Sequence, residues 1–262
     1  MRIIVVLALI VLAACNSADK TENVSMTGSY KMLSQSVKSE QTDTTYTTLQ
    51  QLKIFTPDHM MYANVDPADS ASAFGVGTYS SMIDTITEHV IFSASDTSKN
   101  ETSRNYKLTI DKTKKGYKQI IPDIEFNGQT FTLTEEYDNA GSDVTSPLDG
   151  VWKLTAAWYI NGKDTSAQKM IQYKAYYAGH VIWGHSYTDS LNKNHTGVGF
   201  GKFTMTGNDK VKESMMVSTY NQIRGKDFDI AVEMKGTDEF TQTITEPDGS
   251  KAVETYQRLK KQ

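Results

Sequence analysis

Apolar and polar positions alternate with a period of two along most of this chain. Tyr106, Leu108 and Ile110 alternate with Lys107, Thr109 and Asp111. Phe228, Ile230, Val232 and Met234 alternate with Asp229, Ala231, Glu233 and Lys235. Successive side chains of a strand point to opposite faces, so each segment predicts a strand with one dry and one wet face. Turn formers punctuate the strands. Gly236-Thr237-Asp238-Glu239 leads into a strand from Phe240, and Pro247-Asp248-Gly249-Ser250 leads into the strand Ala252 to Leu259. Asn127-Gly128 sits between Ile124-Glu125-Phe126 and Thr130-Phe131, and Asn-Gly favours the tight turn of a two-residue hairpin. A short helix is expected around Ser166 to Tyr173. Many strands with short turns and no alternating helices predict an all-β sandwich or up-and-down barrel.

The pattern occurs twice. Gly28-Ser29-Tyr30-Lys31 aligns with Gly150-Val151-Trp152-Lys153, and Lys53-Ile54-Phe55 with Lys174-Ala175-Tyr176. His59-Met60-Met61-Tyr62 aligns with His180-Val181-Ile182-Trp183, and Gly75-Val76-Gly77-Thr78-Tyr79 with Gly199-Phe200-Gly201-Lys202-Phe203. Glu88 falls near Glu213. Residues 26–138 and 148–262 therefore read as duplicated domains, each long enough to enclose a core. Residues 139–147, rich in turn formers, read as the linker.

The one long apolar run lies at the start. Arg2, the apolar run Ile3 to Val11 and the small residues before Cys15 make residues 1–14 a secretory signal. Leu12-Ala13-Ala14-Cys15 resembles a bacterial lipobox, which implies cleavage before Cys15 and diacylglycerol on its sulfur. Cys15 is the only cysteine, so no internal disulfide is available to an exported chain. Residues 15–25 become a lipidated tether. They are polar and without periodicity, with an average reach of roughly 15–20 Å. The expected location is the cell envelope, lipid-anchored, at the outer membrane. The net charge of −4 argues against nucleic acid as a partner and against electrostatic docking to anionic lipid. The acyl chains themselves must hold the protein at the membrane.

Gly150-x-Trp152 at the start of a first strand resembles the opening motif of lipocalins. Continued through Lys174-x-Tyr176, Gly179-His180-x-x-Trp183 and Gly199-x-Gly201-x-Phe203, it resembles the lipocalin-like domains of envelope lipoproteins from Bacteroidetes-type bacteria. The resemblance implies two tandem antiparallel, calycin-type β-barrels, the first divergent. It implies that Trp152 closes one barrel end with a basic side chain over it, for which Arg258 is the candidate; Gly150, Trp152 and Arg258 are then structural. The first copy departs, with Tyr30 in place of tryptophan and no arginine in Glu135-Glu136-Tyr137-Asp138.

Little in the chain points to catalysis. Neither a Gly-x-Ser-x-Gly elbow nor a His-Glu-x-x-His pair is present. Glu88 and Glu213 supply one recurring acid per domain, short of an acid–base pair. Glu135 and Glu136 are neighbours in a strand and so point to opposite faces. His185 and His195, with Asp189 between them, fall short of the three or four converging ligands a metal needs. The expectation is a non-enzyme without metal or cofactor. An eight-stranded barrel can hold one small ligand, and Trp183, His185, Tyr187 and Phe200 fall near predicted loop ends where a mouth would open. They are the expected contacts to a small, largely apolar ligand. The alternative is a scaffold whose barrels are filled with side chains and whose loops touch a protein partner. Asp43-Thr44-Thr45, Asp69-Ser70-Ala71, Asp84-Thr85-Ile86 and Asp189-Ser190-Leu191 resemble a three-residue O-glycosylation acceptor.

Overall fold

A computed structural model of the chain describes residues 25–68, 71–95, 98–126 and 128–261, with the side chains of 98–101 and 126 excepted. The signal segment, Cys15 and most of its tether, Asn127 of the expected hairpin turn, and Asp69-Ser70 lie outside the described residues.

The protein is all-β, two closed antiparallel barrels of eight strands in tandem. The first uses β1 (Gly28–Lys38), β3 (Gln50–Phe55), β4 (His59–Val65), β5 (Ser72–Ser81), β6 (Thr85–Ser95), β8 (Arg104–Lys112), β9 (Gly116–Phe126) and β10 (Gln129–Asn139). Each pairs with the next, and β10 closes on β1. Short β2 (Asp43–Tyr46) and β7 (Ser98–Glu101) add to β1 and β6. The second barrel repeats the plan. It uses β11 (Gly150–Asn161), β13 (Ile171–Tyr177), β14 (His180–Thr188), β15 (Asn194–Met205), β16 (Lys210–Ser218), β17 (Asp227–Lys235), β18 (Glu239–Thr245) and β19 (Lys251–Arg258), with β19 closing on β11. β12 (Asp164–Ala167) extends β11. The expected helix at Ser166 to Tyr173 is absent: the segment belongs to β12, a short link and β13, whose residues alternate inward and outward.

Even the irregularities are duplicated. β1 and β11 carry a bulge at Met32/Ser34 and Leu154/Ala156. β5 and β15 carry one at Val76/Gly77 and Phe200/Gly201. The Gly-x-Gly pattern follows from this geometry. A side chain at Gly77 or Gly201 would collide with the partner strand's carbonyl, that of His89 or Ser214, at the bulge. The preceding glycine, Gly75 or Gly199, lies under the ring of its cross-strand partner, Tyr62 or Trp183. Bulges bend a strand and increase its twist, as closing a small barrel requires.

The two barrels share a core. Leu52, Ile54, Met61, Ala63, Phe74, Val76 and Phe92 on the outside of the first pack against Val151, Tyr173, Ala175, Ile182, Val198 and Phe200 on the outside of the second. Strands at this junction are therefore buried on both faces. In β3 every residue after Gln50 is buried, and β13 is buried from Gln172 to Tyr176. Ser29 Oγ donates to the Tyr177 carbonyl at 2.8 Å, and Lys261 pairs with Asp58 at 2.8 Å across the same junction.

Candidate functional site

The end of the second barrel where β11 starts is shut. Trp152 is fully buried and its indole N–H donates to the Leu148 carbonyl at 2.7 Å. Arg258, its register partner on β19, lies over the ring with the guanidinium carbon 4.0 Å from the centroid. The same guanidinium donates to the carbonyls of Thr237 at 2.8 Å, Pro147 at 3.1 Å and Asp149. Gly150 has φ 145°, and a side chain there would strike Arg258. In the first barrel Tyr30 takes the tryptophan's place, with Asn139 opposite, and packs edge-on against Tyr117 and Phe55.

Above each closed end runs a buried polar ladder, built twice from equivalent positions. Lys53 pairs with Glu88 at 2.5 Å, and Lys174 with Glu213 at 2.7 Å; all four side chains are buried. Each lysine also donates to a glutamine, Gln119 at 3.3 Å or Gln242 at 2.9 Å. That glutamine donates to a second glutamate, Glu135 in one barrel and Glu254 at 2.7 Å in the other. The second glutamate accepts from a tyrosine on its own strand, Tyr137 at 2.7 Å or Tyr256 at 2.5 Å. A further glutamine, Gln51 or Gln172, donates to that tyrosine's oxygen. Burial, and then the nearby carboxylates, hold Tyr137, Tyr176 and Tyr256 well above the ordinary phenol range, so all three keep their protons. The two lysine–glutamate pairs replace water with each other, as buried charge demands. Around the second pair the Gln242 amide and the Tyr176 phenol complete the network, whereas among the described residues Glu88 has Lys53 alone.

At the far end the second barrel opens into a cavity of about 730 Å³. Gln172, Lys174, Glu213, Gln242 and Glu254 form its polar floor. Trp183, Met215, Ile223, Phe228 and Ile244 contribute apolar wall, and the β16–β17 and β18–β19 connections flank the mouth. Trp183 lies parallel to Tyr220, with ring centroids 6.0 Å apart and planes within 10°. His185 shares a hydrogen bond with the Tyr220 hydroxyl at 2.7 Å. Burial alone pushes His185 down to about 4, so it is neutral at pH 7. Gly197 and Gly199 leave the space that His185, Tyr220 and Trp183 fill.

Of the four residues expected at a mouth, Trp183 and His185 line this cavity. Tyr187 lies further toward the rim, 40% exposed, with its ring stacked on His195 at 5.0 Å. It borders a separate cleft between β11 and the β13–β14 hairpin. Phe200 points the other way, into the core between the barrels. Along β15 the alternation is intact, but the apolar side chains Val198 and Phe200 face the neighbouring barrel while Gly197 and Gly199 face the interior. His195 pairs with Asp189 at 2.8 Å in the β14–β15 loop, and among the described residues no three metal-ligating side chains converge. The floor residues Gln172, Lys174, Gln242 and Glu254 were not legible as a site. The signal that could have found them is the run Gln172-x-Lys174-x-Tyr176, which repeats Gln51-x-Lys53-x-Phe55 on one strand face.

No family model matches the chain, and no curated protein matches it. Among solved structures it is similar to a protein of unknown function from the DUF3598 family of Nostoc punctiforme, at 12% identity and a TM-score of 0.27, over 89% of this chain and 96% of that one.

Proposed function

We propose that the second barrel binds a small amphipathic molecule in its interior, in a lipoprotein held at the cell envelope through Cys15. The observation that carries this reading is the open cavity, in which an aromatic wall at Trp183 stands over a floor of hydrogen-bonding groups. Ligand sites combine mostly apolar walls with a few placed polar groups, in volumes of a few hundred Å³. The floor shifts the expected ligand from a largely apolar molecule to one with a polar head and an apolar body. The barrel acts as a carrier or scavenger, without chemistry of its own. Leu12-Ala13-Ala14-Cys15 supports the anchor, and a tether of that length keeps the first barrel close to the bilayer.

Native mass spectrometry of protein purified from its own host tests the carrier. The expected spectrum shows a co-purifying small molecule that is lost in Trp183→Ala. A clean apo mass accompanied by a retained protein partner would favour a scaffold instead. Cys15→Ser tests the anchor: the protein is expected to move from the membrane fraction to the soluble one.

A further inference from the structure

We propose that the ligand of the second barrel is an organic cation, received by Glu254 through its N–H donors. The inference rests on the cavity reading above and names the class of molecule it admits.

The first barrel provides an internal comparison. There both oxygens of the second glutamate are occupied. Glu135 Oε2 accepts from Tyr137 at 2.7 Å and from Gln119, and Oε1 accepts from Gln35 Nε2 at 2.9 Å. In the second barrel one oxygen takes everything. Glu254 Oε2 accepts from Tyr256 at 2.5 Å, Gln242 at 2.7 Å and Gln172 at 3.3 Å. The residue opposite explains the difference. Gln35 faces Glu135 in the register of β1 and β10, whereas Ala157 faces Glu254 in that of β11 and β19. Alanine carries no donor, so Glu254 Oε1 has no partner among the described residues.

A second substitution acts in the same direction. Asn64, opposite Gln51, donates to its carbonyl oxygen at 3.1 Å. The residue opposite Gln172 is His185, whose Nε2 is turned to Tyr220. Among the described residues Gln172 Oε1 is thus left without a side-chain donor as well. In the first barrel Glu135 and Gln51 are both satisfied, whereas among the described residues the second leaves two equivalent acceptors, one of them a carboxylate, in the floor of a cavity.

The charges around that floor select the sign of the missing donor. Lys174 is committed to Glu213, and Asp227 to Lys212 at 2.7 Å. That leaves Asp229, Glu246 and Glu254 in the lining against Lys226. A carboxylate ligand would meet like charge, and a neutral apolar one would cover both acceptors without satisfying them, which a polar site penalises strongly. An ammonium or amidinium group satisfies both acceptors, and the Trp183 ring offers the face that cations favour. A primary amine on a flat apolar body fits the arrangement.

Calorimetric titration of the full-length protein with three probes of one shape tests this: tryptamine, the neutral 3-ethylindole and the anionic indole-3-propionate. Tryptamine is expected to bind at least about tenfold more tightly than 3-ethylindole, with the anion weakest. Glu254→Gln and, independently, Ala157→Gln, which supplies the donor present in the first barrel, should each lower tryptamine affinity by about tenfold. The readout in variants that remain folded by circular dichroism is the ratio of tryptamine to 3-ethylindole affinity, which each substitution should bring down towards one. Equal binding of all three probes would overturn the cation assignment while leaving the carrier reading intact. Tryptamine selectivity that persists in both folded variants would remove Glu254 from the account. Failure of every probe to bind wild-type protein at millimolar concentration would overturn the cavity reading and this inference together.

Discussion

Arg258 lies over Trp152, with its guanidinium carbon 4.0 Å from the ring centroid, and fixes three backbone carbonyls from two different connections. One side chain thereby joins the first strand, the last strand, the linker before β11 and the β17–β18 turn. Arg258→Ala removes the ring contact and strands those carbonyls. The expected loss is about 2–3 kcal/mol of unfolding free energy, read from urea midpoints. Arg258→Lys should recover only a small part, because an ammonium cannot hold a planar fork of hydrogen bonds while covering the ring. A loss under about 0.5 kcal/mol for alanine would show that the barrel end does not depend on this lid.

The lysine–glutamate pairs should behave as buried charges. Lys174→Met leaves Glu213 inside the barrel with its ionic partner gone, and should cost roughly 3–5 kcal/mol. Replacing both, as Lys174→Met with Glu213→Leu, should restore most of that, because the gain from the pair is offset by the desolvation of two ions. The same cycle on Lys53 and Glu88 should give a similar coupling, since the first barrel repeats the geometry. Additive losses in either barrel would mean that the two residues do not act as a pair.

These lysines also mark the limit of what the sequence could reveal. The duplication, the two-residue period and the Gly-x-Trp opening are all legible, because each is written in the order of residues along the chain. Lys53 and Lys174 were visible as part of a repeated motif, yet a lysine alternating with apolar residues reads as the wet face of a strand. Here the phase is inverted: Leu52, Ile54, Tyr173 and Ala175 face the other barrel and the lysines face inward. Phe200 lies in the junction instead of at the mouth for the same reason. Which face of a strand is covered depends on what packs outside it, and that contact joins residues of different barrels, far apart along the chain, such as Phe92 and Tyr173. A hint was present in Ala175, Ile182 and Val198, an outward row with no charge.

That outward row joins the two barrels in a single apolar core, which predicts that they unfold together. Phe74 sits against Gly184 so closely that a β-carbon on the glycine would overlap its ring, and Phe92 packs on Tyr173 at 5.6 Å. Wild-type protein is expected to unfold in a single calorimetric transition. Phe74→Ala opens the junction and should destabilise by about 3–5 kcal/mol, separating the melt into two transitions. Gly184→Val should destabilise by about 1–3 kcal/mol through overpacking. Two transitions in the wild type would show that the barrels melt independently despite their shared core.

His185 gives the cavity a pH dependence of defined sign. Its ordinary value is 6.5, and burial in the wall pushes it down to about 4. Between those values the unfolded chain takes up a proton that the folded chain refuses, so folding stability falls as pH falls through this window. The contribution is fully present above about pH 6.5, declines by at most about 1.4 kcal/mol per pH unit, and is exhausted once both states are protonated below about pH 4. His59 and His180 are also lowered by burial and slope the same way, so the wild-type slope alone does not isolate His185. The difference between wild type and His185→Gln does, because glutamine is neutral throughout and retains a hydrogen-bonding group near Tyr220. Urea midpoints at pH 7, 6 and 5 should show the variant losing less stability on acidification than the wild type. Parallel lines for the two proteins would mean that His185 takes up its proton at the ordinary value, in contact with water at the cavity mouth.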